Sequence, residues 1–283
     1  DKGKLNNNLI FFESNKYFIT GLFIALYLLS ISLVIISPTR PWFYFILIAV
    51  LFCIVGMQIF SDNPNQNLIL LEIVAVMINL AYSVVLKYPY YFGWTDTPYL
   101  IGISQVTLLS GHSIPPDLEL SYANFPLYHI YLAEIAGMLG IDVQTALFIV
   151  MIIPYAIATI FIFKLVYQIS NKLQLSLLVC LVYACLSVII FYGTYIQTRV
   201  MAYIGFIILL YVVFKNAGAA KHKISYMVIF FFALVYLILV HQVSIFQIIP
   251  ILVLLFVIEF IFSNRTIIRP EHLAIIFVMT FSF

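Results

Sequence analysis

This sequence contains few charged residues. Charged residues occupy only 8% of the 283 positions, whereas about 25% is usual in a soluble domain. The 13 Lys and Arg residues exceed the 11 Asp and Glu residues by two, and they are scattered, so they form no basic face of the kind that binds nucleic acid. Apolar residues make up 65% of the chain. The composition excludes a soluble domain and a nucleic-acid partner, and it indicates an integral membrane protein.

Cysteine is scarce as well. Cys53, Cys180 and Cys185 all lie inside apolar runs and form no Cys-x-x-Cys pattern, so neither a disulfide framework nor a thiolate metal site is predicted. The sequence also lacks a glycine-rich phosphate loop and a nucleophile elbow. The energy for any reaction must therefore arrive with the substrate.

Long apolar runs predict the fold class, an all-α polytopic bundle of about eight or nine transmembrane helices in a single domain spanning 1–283. Transmembrane strands are excluded because a run such as 227–240 is apolar on every face. The last run is cut short by Phe283, so we expect a fragment with further helices beyond it. The predicted helices cover about 17–37, 42–60, 68–86, 143–168, 173–191, 200–215, 224–240 and 243–262, with a partial helix from about 272.

The distribution of Lys and Arg predicts the orientation. If the N-terminus is cytoplasmic, ten of the thirteen basic residues fall on that side, and only Arg40, Lys87 and Arg199 fall on the other. Such a bias follows the positive-inside rule and predicts a multi-pass plasma-membrane protein with a cytoplasmic N-terminus. The ten are Lys2, Lys4, Lys16, Lys164, Lys172, Lys215, Lys221, Lys223, Arg265 and Arg269.

The loop at 87–142 is the anomaly of the chain, because it is 56 residues long and holds five of the eleven acids. Loops of this length are usually functional or disordered, and one so rich in Tyr, Phe, Leu and Ile is not of the disordered type. Two amphipathic helices are predicted inside it, at 98–110 and 127–139, lying along the external membrane surface above a cavity. Their apolar stripes are predicted as Leu100, Ile103, Val106 and Leu109, opposite Ser104, Gln105 and Thr107, and as Leu127, Ile130, Tyr131 and Met138.

Asp96 is the predicted catalytic residue. Phe92 and Trp94 precede it, and we expect them to keep its carboxylate out of bulk water, which raises a carboxyl pKa and suits a general base. The alternative is that Asp96 caps the helix predicted to begin at Pro98.

Arg199 is the first candidate for binding phosphate, because it lies at the external mouth of a span, where few positive charges occur. A guanidinium can hold a phosphate through two hydrogen bonds. The alternative is a side chain that only reaches from a helix end towards water.

His241 and Gln242 form the turn between two spans on the same side. With Asp96 and Arg199 they supply an acid, a base and a cation, which fits an anionic head group and a proton transfer. A histidine in a turn is alternatively only solvated.

His129 and Glu119, in the long loop, complete the predicted binding residues. His129 is expected on the polar side of the second loop helix, either pointing into the cavity or serving as a cap or surface residue. Glu119 could share a divalent ion with Asp96, although we predict no cofactor and no zinc site, because the histidine spacing does not suit zinc. Outside the loop, Glu72 lies near a span end, where we expect it to reach water.

Several of these segments together are similar to the C-type glycosyltransferase superfamily (GT-C), polytopic enzymes that use polyprenyl-phosphate sugars. Asp96 matches the acid of the first long external loop, the stretch 122–129 with 140–142 resembles a Tyr-Pro-x-x-His and Gly-Ile pattern, and 241–244 resembles a turn histidine before a long span. The resemblance covers about 68–262.

The resemblance implies that Asp96 deprotonates the acceptor, while Arg199 and His241 stabilise the leaving phosphate. The implied partners are a polyprenyl-phosphate-linked sugar donor, membrane lipid and an unidentified acceptor. Two departures are that two spans precede the one leading into the loop, and that Asp96 lacks a second acid two residues away. The alternatives are a transporter or flippase of a lipid-linked anionic intermediate, and a non-catalytic scaffold, in which these charges would lie apart.

Overall fold

A computed structural model describes residues 16–88, 96–217 and 223–262. Every regular element in these ranges is an α-helix, as predicted. The partial helix expected from about 272 lies outside the described residues, as do Phe92 and Trp94. The helices are α1 (Lys16–Ile36), α2 (Trp42–Ile59), α3 (Gln66–Lys87), α4 (Asp96–Ser110), α5 (Leu120–Ala123), α6 (Leu127–Leu139), α7 (Val143–Val150), α8 (Ile152–Ser170), α9 (Leu173–Cys185), α10 (Ser187–Thr194), α11 (Thr198–Ala217), α12 (Lys223–Val240) and α13 (Ser244–Phe262).

Local signals in the sequence explain several helix ends. The Asn65 side chain accepts a hydrogen bond from the Leu68 N–H at 3.3 Å and so caps α3. Asp142 caps α7 in the same way, accepting from the Thr145 N–H at 2.8 Å. Gly140 ends α6 with φ of 64°, a left-handed conformation that glycine adopts without steric cost.

Within the described residues, five helical spans are long and apolar enough to cross a membrane, and a sixth is formed if the bent pair α9 and α10 counts as one. This supports a multi-pass membrane protein, although the number falls below the eight or nine predicted. The predicted helix at 173–191 is broken at Leu186, where the chain bends by 62°. The predicted helix at 143–168 is interrupted at Met151, because Pro154 has no N–H to donate and clashes with the carbonyl four residues earlier.

The chain divides into two compact units. The first comprises 1–91 and 170–194, and its described helices are α1–α3, α9 and α10. Within it α3 is central, because it packs against each of the other four helices. Most of the α3 side chains that face the unit interior are apolar, with Glu72, Asn79 and Ser83 as the polar exceptions.

The second unit comprises 92–169 and 195–283 and contains α4–α8 and α11–α13. Helix α4 packs against α6 and α7, α6 also packs against α12, and α11 packs along α12. Gly205 makes the last contact close, since a Cβ there would lie 2.5 Å from the Tyr236 ring. This unit holds all the residues predicted to bind substrate or perform catalysis.

Helices form close to the two ranges predicted in the loop, but in α4 only Leu100 and Ile103 of the predicted stripe are buried, and in α6 no member of the predicted stripe is buried. Helix α4 buries Ser104 and Thr107, whereas Leu109 is 78% exposed. Helix α6 buries Tyr128, His129, Leu132, Ala133 and Ala136, whereas Met138 is 82% exposed. The physical reason is that apolar side chains gain little by leaving lipid, so small and polar residues line the helix contact, where their hydroxyls bond to backbone carbonyls.

Candidate functional site

Asp96 is the first residue of α4, and two side chains hold its carboxylate. Gln197 Nε2 donates to Asp96 Oδ2 at 3.1 Å, and the Tyr195 hydroxyl donates to the same oxygen at 3.3 Å. Gln197 also contacts the Tyr195 hydroxyl, and both side chains are buried. These two bonds fix the orientation of the carboxylate. Both are made to Oδ2, so neither involves Oδ1.

The surroundings of Asp96 differ from the prediction in one respect. The side chain is exposed rather than desolvated, because it stands at the start of a helix. Its helix begins at Asp96 and not at Pro98. A carboxylate in the first turn is stabilised by the helix dipole, so part of its role is structural, although Asp96 lies inside the helix and does not cap one that begins at Pro98.

The segment 195–197 is positioned by Tyr128 of α6. The Tyr128 hydroxyl donates to the Ile196 carbonyl at 2.9 Å, and its side chain is fully buried. This bond places Tyr195 and Gln197 where both reach Asp96. Sequence reasoning missed all three residues. Their only signal was the nearness of Tyr195 and Gln197 to Arg199 in the chain.

Arg199 is the second residue of α11, and its side chain is exposed. A cation is disfavoured at a helix N-terminus because the helix dipole is positive there. The positive charge of Arg199 lowers the pKa of two other groups in the same unit, Tyr122 and His241. Arg199 therefore belongs to the electrostatic surroundings of both.

Tyr122 connects the charged residues of the site, although sequence reasoning did not single it out as a site residue. Burial raises the pKa of its hydroxyl, the negative charges of Asp96 and Glu119 raise it further, and Arg199 opposes them. Its ring packs edge-on against His129, with the centroids 4.9 Å apart. Tyr122 thus lies in the electrostatic surroundings of both predicted carboxylates and of the predicted phosphate-binding cation.

His129 is buried, 1% exposed, between α4 and α6. Its Nδ1 lies 2.8 Å from Ser104 Oγ, and the Ser104 hydroxyl also donates to the Leu100 carbonyl at 2.9 Å. A carbonyl only accepts, so both contacts are satisfied when Nδ1–H donates to Ser104. Nε2 has no hydrogen-bond partner among the described residues, and burial lowers the pKa of His129 to about 4. The structure therefore shows a neutral histidine that joins two helices, not a cap or a surface residue.

The Glu119 carboxylate accepts hydrogen bonds from neighbouring residues of the loop. It caps α5 by accepting from the Ser121 N–H at 3.1 Å, and it accepts a hydrogen bond from the Tyr99 hydroxyl. That bond lowers the pKa of Glu119 and raises the pKa of Tyr99 to about 12. Within the described residues no group of three His, Cys, Asp or Glu side chains could hold a metal ion. Shared coordination by Asp96 and Glu119 thus gains no support.

His241 lies in the turn before α13 and is half-buried, as is Gln242. Its Nδ1 accepts from the Ser244 N–H at 3.2 Å and lies 2.7 Å from Ser244 Oγ. A nitrogen that accepts carries no proton, so the ring is neutral and presents Nε2–H. Burial, followed by the charge of Arg199, lowers its pKa. His241 can therefore donate a hydrogen bond to an anion, but it does not supply the positive charge that the resemblance implies.

The chemistry available is that of a fixed carboxylate and an exposed guanidinium that both affect the Tyr122 hydroxyl, with a neutral imidazole donor whose pKa the guanidinium also lowers. Comparison with family models, with curated proteins and with solved structures gave no match. The functional argument therefore depends on the geometry and charges of these residues.

Proposed function

We propose that this chain is an integral-membrane glycosyltransferase of the GT-C type, which moves a sugar from a polyprenyl-phosphate donor at the external face of the plasma membrane. The strongest support is that Gln197 and Tyr195 hold the Asp96 carboxylate, while Arg199 follows Gln197 by two residues at the start of α11. A base and a phosphate-binding cation in one neighbourhood meet the two chemical needs of this transfer.

In the proposed reaction Asp96 accepts the proton of an acceptor nucleophile as that nucleophile attacks the anomeric carbon. The bond from that carbon to the phosphate oxygen breaks, and negative charge grows on the phosphate. Arg199 stabilises this charge directly, while His241 contributes a hydrogen bond from Nε2–H. Fixed charges and dipoles aimed at developing charge lower a barrier more than mobile ones do.

The proposed placement in the membrane has a cytoplasmic N-terminus. Eight crossings result if α7 with α8 and α9 with α10 each count as one and α12 and α13 also cross. The last two contain 18 and 19 residues, close to the ~20 that a crossing needs. Helices α4 and α6 then lie along the external surface, and the site residues lie on that side.

A lipid-linked-intermediate transporter or flippase is the second candidate, and one observation favours it. The 62° bend between α9 and α10 is the kind of broken helix that transporters use. The same charges would then hold a head group while no covalent bond forms.

The Asp96→Asn variant tests the proposed reaction, because Asn keeps the hydrogen bonds from Gln197 and Tyr195 but is not a base. In proteoliposomes supplied with a polyprenyl-phosphate sugar and a mixture of acceptors, we expect transfer to fall about 100-fold or more. Asp142→Asn is the matched control, since Asn also caps helices well, and it should retain normal transfer. Near-normal transfer by Asp96→Asn contradicts the proposal. Movement of the lipid across the bilayer without any transfer, by both variants and the wild type, favours the flippase.

A further inference from the structure

Two basic side chains, Arg40 and Lys87, lie at one end of the first unit. Arg40 precedes α2 and donates from Nη1 to Ser83 Oγ at 3.5 Å. Lys87 is the last residue of α3 and donates to the Ile35 carbonyl at 3.0 Å. Ser83 and Lys87 are four residues apart, so they lie on one face of α3. Both cations therefore meet at the same face and the same end of this helix.

Neither cation has a carboxylate partner among the described residues of the unit. Arg40 lies over the rings of Phe45 and Tyr88, at 5.4 and 5.8 Å from their centroids. Its Nε is buried and has no hydrogen-bond partner in the part of the chain that the structure describes. A buried polar atom without a partner is costly. The guanidinium is therefore only partly satisfied by the protein.

The acids described in this unit lie at the opposite helix ends. Glu72 is fifteen residues before Lys87 along α3, which corresponds to about 22 Å. Asp62 follows the far end of α2, whose 18 residues separate it from Arg40 by about 27 Å. Among the described residues of this unit, no acid therefore lies at the end of the helices that holds the two positive charges.

The surface around the two cations is apolar and aromatic. Trp42 is 64% exposed and Ile36 is 81% exposed, and both lie within a few residues of Arg40 in the chain. Leu86 and Phe43 are exposed as well. Aromatic and basic residues at a span end are typical of the membrane interface, where the apolar surface beside them faces acyl chains.

We propose that Arg40 and Lys87 bind the phosphate of an anionic membrane phospholipid whose acyl chains lie against the exposed apolar surface beside them. The guanidinium can offer two hydrogen bonds to a phosphate from its terminal nitrogens, while the ammonium adds a compact charge. Basic residues between transmembrane helices bind lipid head groups in this way. Inorganic phosphate offers the same charge but no apolar part, so it should bind far more weakly. This site is independent of the proposed sugar transfer.

The test compares the wild type with its variants in nanodiscs of phosphatidylcholine that contain a minor fraction of phosphatidic acid. The number of phosphatidic acid molecules retained after extraction is counted by native mass spectrometry. Since each basic residue near the surface contributes about 1 kcal/mol to binding, or about fivefold, the double variant Arg40→Gln with Lys87→Gln should bind about 30-fold more weakly. Lys172→Gln, which removes an exposed lysine at the other end of the same unit, should bind normally.

Two further measurements make the result decisive. Arg40→Lys keeps the charge but removes the paired donors of the guanidinium, so it should lose less affinity than Arg40→Gln even if the double variant is unstable in neutral lipid. Inorganic phosphate should fail to displace the retained lipid. Equal retention by the double variant and the wild type overturns the proposal, as does an equal loss in Lys172→Gln or ready displacement by inorganic phosphate.

Discussion

The two units place their polar side chains differently. In the first unit, polar groups bond to each other between helices. The Asn79 amide donates to Ser30 Oγ at 2.7 Å, and the Tyr44 hydroxyl donates to Asn79 Oδ1 at 3.2 Å. In the second unit, Asp96 and Arg199 stand exposed at the first turns of α4 and α11.

This difference distinguishes polar side chains that stabilise helix packing from polar side chains that can bind a ligand. A polar side chain whose partners are already on neighbouring helices stabilises packing and has little capacity left for a ligand. Glu72 follows this rule only in part. Gln58 donates to its Oε2 at 2.6 Å and it is 3% exposed, so the expectation that it reaches water is wrong, but its Oε1 has no hydrogen-bond partner among the described residues. Charges at helix ends keep that capacity. Asp96 and Arg199 in the second unit are charges of this kind, as are Arg40 and Lys87 in the first.

His129, a buried histidine of the second unit, should produce the largest effect. Its pKa is about 4 in the folded protein and about 6.5 when unfolded. Between these values the unfolded chain binds a proton and the folded chain does not, so acid favours unfolding. We expect the free energy of unfolding in detergent to fall by roughly 3 kcal/mol from pH 6.5 to pH 4.

The variant His129→Phe should flatten this part of the pH profile whatever its baseline stability. His112→Gln is the matched control, because His112 is exposed, and it should leave the decline intact. The same decline in His129→Phe would show that another group is responsible.

Gln197 sharpens the comparison, because it is a buried polar residue that serves the site. Replacing it with Leu removes the donor at 3.1 Å from Asp96 without removing the base. If Gln197 is a positioning residue, turnover should fall about tenfold while the KM for the lipid donor stays unchanged. Gln174→Leu, which alters an exposed glutamine of the first unit, should transfer normally. A rise in KM alone would mean that Gln197 contributes to binding instead.

Asn79 tests the first unit with a smaller effect. The substitution Asn79→Leu leaves the buried Tyr44 hydroxyl and Ser30 without this partner, and hydrogen bonds between membrane helices contribute about 0.6 kcal/mol each on average. We expect a loss of about 1 kcal/mol in a denaturant titration, with sugar transfer unchanged at low temperature. Ser32→Ala, which removes an exposed bond within α1 at 2.9 Å, should have no measurable effect. A selective loss of transfer in Asn79→Leu would contradict the structural role of this network.

The helices could be predicted from the sequence because turn-forming residues, such as those at 37–41, separate the apolar runs. The orientation of α4 could not be predicted from the sequence, because lipid and the protein interior are both apolar and Leu109 can lie in either. The break at Leu186 could not be predicted either, because neither neighbouring residue is a proline or a glycine.

Candidate site residues were predictable where charge was rare. Asp96 and Arg199 stand out in a chain with 8% charged residues. Tyr122 and Tyr195 do not stand out, because the chain contains 20 tyrosines. Only the packing of α6 against α4 and the hydrogen bond from Tyr128 show which tyrosines reach the charges.

The central claim is that an anionic lipid phosphate binds beside Arg199, close to Asp96. Electron cryomicroscopy of the protein in nanodiscs with added polyprenyl phosphate tests it directly. We expect phosphate density within hydrogen-bonding distance of the Arg199 guanidinium, and its loss in Arg199→Gln. Density for this lipid only elsewhere on the protein, with none beside Arg199 in the wild type, would contradict the claim.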